Sequence, residues 1–348
     1  MKDTNNSHEN GIIQKLIKNS LFLIFLGFAV RIIMLIYYYY IHAIDPGRDW
    51  GDIGNYFGGN VSNPPLSIFF LEIMRFLSFG ILEIFVFWGF FWDLLSCIIF
   101  YFVLKSFDIK KRDYVYGLFL INPFFFLTNS FSIDNCGYHM TDAFFLCFLF
   151  LALIYYPRNT LRSRYAFYLF LGLSMCAKYY SLPACGIFLI KYLYDKDWKE
   201  LKIFLITMVP LVFAFLIIPF FYWKPFTEVV LSYPTEQYGS TYPFYIKVIP
   251  AMIIFLFFCF CRIKTSNYFE IIIISIIITG TFIFFSYPYL RWFQVLVIYG
   301  ILKEKDFYEY SLNFWNFNMK IAINNQTITF ALSTVALFIA YLFILYVH

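Results

Sequence analysis

"SLFLIFLGFAVRIIMLIYYYYIHA", residues 20–43, decides the fold. It is one unbroken apolar run with a single fixed charge, Arg31. A helix that crosses the roughly 30 Å hydrocarbon core of a bilayer needs about 20 such residues. The apolar region of a secretory leader is shorter, about 7–15 residues, and ends at a small-residue cleavage site. No such site follows here, so the run reads as a first transmembrane helix.

Similar runs recur along the whole chain. Of its 348 residues 61% are hydrophobic and 14% charged, against about 25% charged in ordinary soluble domains. The runs predict helices at about 20–43, 81–104, 114–128, 141–156, 165–180, 182–194, 203–222, 246–261, 268–286, 289–302 and 327–347, the fifth and sixth split near Pro183. A shorter piece, "LSIFFLEIMRFLSFG" at 66–80, carries Glu72 and Arg75 and reads as a helix lying in the membrane interface. The expected fold class is therefore all-α: a polytopic transmembrane bundle of about eleven helices, a single domain over 20–348 behind an N-terminal tail at 1–19.

The basic residues orient it. With the N-terminus in the cytoplasm and alternating sides, only Arg31, Arg48, Arg75, Lys178, Lys224, Lys247 and Arg291 of the 26 Lys and Arg fall in the membrane or on the far side. That imbalance is what the positive-inside rule requires. The net charge of +5 thus lies in short inter-helix clusters rather than in a nucleic-acid-binding block. The seven Cys show no CxxC pair and read as small buried hydrophobes.

Polar chemistry gathers on the non-cytoplasmic side. The first outer loop, "RDWGDIGNYFGGNVSNPPLS" at 48–67, holds Asp49 and Asp52 between glycines that permit tight backbone turns. A carboxylate beside a membrane cleft suits a general base acting on a hydroxyl; the plainer reading is a solvated loop. Lys178, in "CAKYYSLP", and Arg291, in "SYPYLRW", are outer cations suited to a phosphate, or to snorkelling toward headgroups. His139 and Asp142 sit in "GYHMTD" at the start of a helix, where Thr141 reads as a cap and Asp142 stays open. No spacing among Asp49, Asp52 and His139 defines a metal site. Asp93, inside "FWDLLSC", needs a partner within the membrane, and Arg31 is the candidate for a structural ion pair.

The order of these pieces resembles the GT-C superfamily of integral-membrane glycosyltransferases, which take sugars from polyprenyl-phosphate donors. The matching stretches run in order over about residues 20–300: "DIGNY" (52–56), "NPPLSIFFLEI" (63–73), "WDLL" (92–95), "INP" (121–123), "GYHMTD" (137–142), the Lys178-to-Pro183 element and "PYLRW" (288–292). A strict D-x-D is absent, as is a W-W-D-type motif. The nearest subgroup is mannosyltransferase-like, without a large soluble domain.

The resemblance implies an inverting hexosyltransferase, mannose favoured. Asp52, with Asp49 second, would be the catalytic base. Lys178 and Arg291 would hold the donor phosphate, and Tyr56, His139, Asp142 and Trp292 are candidate substrate-binding residues. No metal and no cofactor is implied. The substrate is a dolichyl- or undecaprenyl-phosphate sugar, the acceptor a glycan, lipid or protein, and no nucleic acid takes part. The membrane would be that of the endoplasmic reticulum or a prokaryotic plasma membrane. Two other classes fit a polar-faced bundle: a transporter or flippase of lipid-linked sugars, and a non-catalytic subunit of a membrane complex. Internal repeats would mark the first, and none is evident.

Overall fold

A computed structural model describes residues 20–45, 47, 50, 52–58, 64–109, 112–121, 140–156, 160–224, 244–261, 263, 268–284, 308–314 and 317–323. Helices dominate them. They are α1 (Ser20–Ile44), α2 (Asp52–Phe57), α3 (Pro65–Leu77), α4 (Leu82–Ser106), α5 (Arg112–Ile121) and α6 (Met140–Tyr155). Then come α7 (Leu161–Ala177), α8 (Pro183–Asp195), α9 (Trp198–Tyr222), α10 (Phe244–Cys261) and α11 (Tyr268–Phe284). One antiparallel hairpin, β1 (Tyr308–Phe314) with β2 (Phe317–Ile323), adds to the helices where the sequence reading expected only a loop. The tail at 1–19 and the helices expected at 289–302 and 327–347 lie outside the described residues.

Among the described residues three helices, α1, α4 and α9, are long and apolar enough to cross a membrane. Their surfaces are inverted relative to a soluble protein. On α1, Leu21, Phe25, Ile32, Ile36 and Tyr40 form an exposed stripe at helical spacing, with Leu21 73% and Phe25 71% exposed. The opposite side buries Leu23, Gly27, Arg31, Tyr38 and His42. Apolar surface that is exposed and continuous over a whole helix suits contact with lipid.

The helix boundaries follow local chemistry. α9 begins five residues earlier than the hydropathy predicts, because Asp197 accepts from the Glu200 amide and caps the helix before its apolar run starts. Pro210 removes one ladder donor within α9, and the helix widens to a π-helical turn at Phe213–Ile217. α7 ends at Ala177; a 3-10 turn at Tyr179–Ser181 follows, and Pro183 opens α8. Ser174 and Ser181 pin that turn through their hydroxyls, 3.1 Å apart.

Contacts along the helices give their relative directions. α4 and α6 run parallel, with Trp92 meeting Phe144 and Phe100 meeting Phe150. α6 and α7 run antiparallel, since Phe145 meets Tyr180 while Tyr156 meets Phe167. α7 and α9 run parallel, from Arg164 beside Glu200 to Cys176 beside the Leu211 carbonyl. The bundle thus has a Glu200 end and a Lys178 end. Among the described residues, Lys105, Arg112, Arg162, Arg164, Lys196, Lys199 and Lys202 gather toward the Glu200 end.

Two glycines set the closest crossing. α1 and α5 run parallel, and a Cβ on Gly27 would collide with the Cβ of Leu120. One on Gly117 would come within 2.6 Å of the Leu23 Cβ. Small residues allow such backbone approach, which in lipid is a main source of helix cohesion. Gly27→Ala should therefore destabilise by about 1–3 kcal/mol, the usual cost of overpacking. Gly186 has open space around a built Cβ, so Gly186→Ala should be neutral or stabilising. Thermal unfolding in detergent, followed by tryptophan emission, checks both signs.

Arg31 then locks the crossing. It is 2% exposed. Its Nε donates to Asp93 Oδ2 at 3.1 Å, and its Nη1 to the carbonyls of Leu120 at 2.7 Å and Gly27 at 3.0 Å. One guanidinium ties α1, α4 and α5, as the expected Arg31–Asp93 pair requires. At the Glu200 end a second buried polar group joins α7, α8 and α9. The Tyr168 and Tyr192 hydroxyls hydrogen-bond each other, Tyr168 donates to Glu200 at 3.2 Å, and Arg164 pairs with Glu200 at 2.6 Å.

Candidate functional site

The cluster at the Lys178 end starts from a difference in helix length. At 1.5 Å per residue, the 25 residues of α4 span about 37 Å, whereas the 16 of α6 span about 24 Å. Phe107 and Tyr156 stack where the two helices finish together. At the other end Phe144, one turn into α6, is level with Trp92, so α6 begins about 9–12 Å short of the start of α4. α7 and α8 are also short, with 17 and 13 residues. The three short helices leave a recess at this end.

The first loop fills that recess. Phe70 of α3 packs against Trp92 and Phe144. Ser67 donates to the Ala177 carbonyl at 2.6 Å, joining the start of α3 to the last turn of α7. α3 is amphipathic as expected, burying Leu66, Leu71 and Met74 while Phe69 and Phe76 stay exposed. Its Glu72 and Arg75 pair at 2.5 Å on the exposed side. The loop before it is clamped by α1. His42 stacks on Trp50 with ring centres 3.8 Å apart, and Tyr38 donates to the Trp50 carbonyl at 3.0 Å. α2 then seats Ile53 and Tyr56 in the core, with Phe57 edge-on to Phe85.

Three sequence-predicted residues meet here. The Lys178 ammonium lies 2.9 Å from Asp142 Oδ1 and donates to Thr141 Oγ1 at 3.1 Å. The Tyr56 hydroxyl is 3.4 Å from the same Thr141 oxygen. Lys178 also sits 5.5 Å from the centre of the Tyr180 ring. Asp142 is 1% exposed and Thr141 fully buried. Lys178 therefore does not snorkel outward; its backbone turns extended as α7 ends and the side chain reaches the first turn of α6. Thr141 has a different job from the cap expected of it: it bridges Tyr56 and Lys178.

Chemically, a cation beside a helix N-terminus is an anion site. Asp142 fills that role now, and its carboxylate keeps the buried ammonium charge-balanced. Among the described residues no His, Cys, Asp and Glu side chains converge as a metal-ligand set.

Asp52 opens α2, four residues and about one helical turn before Tyr56; only its backbone is described. Asp49, His139, Arg291 and Trp292 lie outside the described residues. Sequence reasoning passed over Tyr38, His42, Trp50 and Ser67. The i, i+4 spacing of Tyr38 and His42, facing the loop that follows, was the available signal for the first two.

The class these observations define is a helical bundle with membrane-length apolar helices and a buried Lys–Asp–Thr–Tyr cluster recessed at one end. No protein-family model, no curated protein and no solved structure matches the chain.

Proposed function

We propose that the chain is a multi-pass membrane glycosyltransferase of the GT-C type, with its N-terminus in the cytoplasm and its site on the lumenal or extracytoplasmic side. One observation carries the reading. Tyr56 of the acidic first loop, Asp142 at the start of α6 and Lys178 at the end of α7 converge in one buried cluster. These come from three separated stretches of the motif series, and a shared site is what the series demands.

In this mechanism the Asp52 carboxylate takes the proton of an acceptor hydroxyl. The freed oxygen attacks the anomeric carbon of a polyprenyl-phosphate hexose, mannose favoured. The bond from that carbon to the phosphate oxygen breaks, and the lipid phosphate leaves with the electron pair. A single displacement inverts the anomeric centre. Lys178, with Arg291, stabilises the charge growing on the phosphate, and such preorganised cations act most strongly in a site shielded from water. The acceptor is a lipid-linked glycan or a protein. The scheme places the enzyme in the endoplasmic reticulum membrane or a prokaryotic plasma membrane.

The test is transfer of labelled mannose or glucose from polyprenyl phosphate to a lipid extract, by detergent-purified protein. Asp52→Asn should slow transfer by about 10²–10⁴-fold, the usual share of general base catalysis, and Asp49→Asn by less. Wild-type rates in both variants would remove the loop acids from the chemistry. Folded protein inactive with either donor would favour a transporter or a non-catalytic subunit.

A further inference from the structure

Trp88 and Trp92 of α4 carry polar groups that the proposed reaction does not use. Both side chains are half-buried, but their indole nitrogens are fully covered, and neither N–H has an acceptor among the described residues. A buried tryptophan normally finds one, because an unpaired donor gives up water without compensation. Within a bilayer core no water stands in for it. Here that cost falls twice, on neighbouring turns of one helix.

Both donors lie at the recess. Phe85, Trp88 and Trp92 follow one another at spacings of three and four, so they share one face of α4. The first loop lies over that face at both ends. Phe57 of α2 meets Phe85 with ring centres 5.5 Å apart, and Phe70 of α3 meets Trp92 at 5.7 Å. Trp92 also meets Phe144 of α6 at 4.8 Å. Trp88 is one turn nearer the Lys178 end, level with the first turn of α6, which holds Thr141 and Asp142. The pair thus stands one helix contact away from the Lys178 cluster.

We infer that Trp88 and Trp92 form the subsite for a hexosyl group, each donating its indole N–H to a sugar oxygen. The inference rests on the glycosyltransferase reading above and assigns the place of its sugar. The chemistry of the two rings selects that occupant. A polyprenyl chain carries no acceptor and would leave both N–H groups unpaired. A phosphate is better held by the Lys178 ammonium, since charge-assisted hydrogen bonds are the stronger ones. A hexose offers hydroxyl oxygens that accept and C–H faces that pack on aromatic rings. Because both nitrogens are covered, entry of the sugar requires α2 and α3 to part from α4.

The test uses the full chain in detergent, with isotope-labelled indole nitrogens in its seven tryptophans, read by magnetic resonance. The probes are polyprenyl-phosphate mannose and glucose, a polyprenyl-diphosphate oligosaccharide, and plain polyprenyl phosphate. Trp88→Phe and Trp92→Phe assign the two indole N–H signals. In the wild type both should move with a sugar-bearing probe and stay in place with plain polyprenyl phosphate. Movement with a phosphate-linked hexose assigns the subsite to the donor sugar; movement with the oligosaccharide alone assigns it to the acceptor. Trp88→Phe/Trp92→Phe keeps a ring at each position. It should bind the same sugar probe on the order of tenfold more weakly, as two lost neutral hydrogen bonds imply, with affinity for plain polyprenyl phosphate unchanged. Equal weakening toward the plain lipid phosphate overturns the inference, since the rings would then serve packing alone. If the wild type binds none of the probes, the glycosyltransferase reading fails and the subsite falls with it. If it binds a sugar probe while both indole signals stay in place, the subsite alone fails.

Discussion

Lys178→Met should abolish detectable sugar transfer, and Lys178→Met/Asp142→Asn should restore the fold without restoring the activity. Asp142 is buried and pairs with Lys178 at 2.9 Å. Removing the ammonium alone strands a buried carboxylate, a change that typically costs about 3–5 kcal/mol. A dead Lys178→Met protein would therefore be ambiguous. The double variant removes both charges, and an amide occupies nearly the same volume as the carboxylate, so its unfolding midpoint should return toward that of the wild type. Its transfer rate should stay at least about 10²–10³-fold down, the scale of losing one preorganised electrostatic contact to a leaving group. A double variant that is stable and transfers sugar normally would make the pair structural. Lys178→Arg should retain part of the activity, because the charge persists while the compact ammonium geometry is lost.

A stability effect of the same scale should come from Arg31→Met. This change leaves Asp93 without its 3.1 Å partner and removes the donor to the Leu120 carbonyl. The expected loss is about 3–5 kcal/mol, enough to reduce the yield of folded protein sharply against a typical total of about 5–15 kcal/mol. Arg31→Met/Asp93→Leu should recover most of it, since an apolar pair often replaces a buried ion pair at little cost. Recovery is expected to be incomplete, because no donor then reaches Leu120. Unfolding midpoints of the two single variants and the double form a cycle. Zero coupling between positions 31 and 93 would dismiss the ion pair as a stabilising contact.

Much of this was legible beforehand because it depends on local sums or on unavoidable pairing. Spanning potential is a sum over one stretch, so α1 could be read from residues 20–43 within a residue of its observed end. Arg31 and Asp93 were legible as partners because a charge within apolar helices must find its opposite. The amphipathic character of α3 followed from Glu72 and Arg75 sitting among apolar residues at helical spacing. The hairpin was present as strict alternation in "YEYSLNF", but the surrounding excess of apolar and aromatic residues hid a period of two.

The candidate site divides the same way. The chain by itself nominated the candidate residues: an acidic glycine-rich loop, a Lys before a proline-broken helix, and an Asp at a helix start. Only the tertiary structure decided that Lys178 turns inward to Asp142 and Thr141 rather than outward to headgroups. That choice depends on the difference in length between α4 and the short helices α6 and α7, on Ser67 joining α3 to α7, and on His42 and Tyr38 holding Trp50. Each is a contact between residues far apart or on different elements. No window of sequence contains both partners and the packing that brings them together.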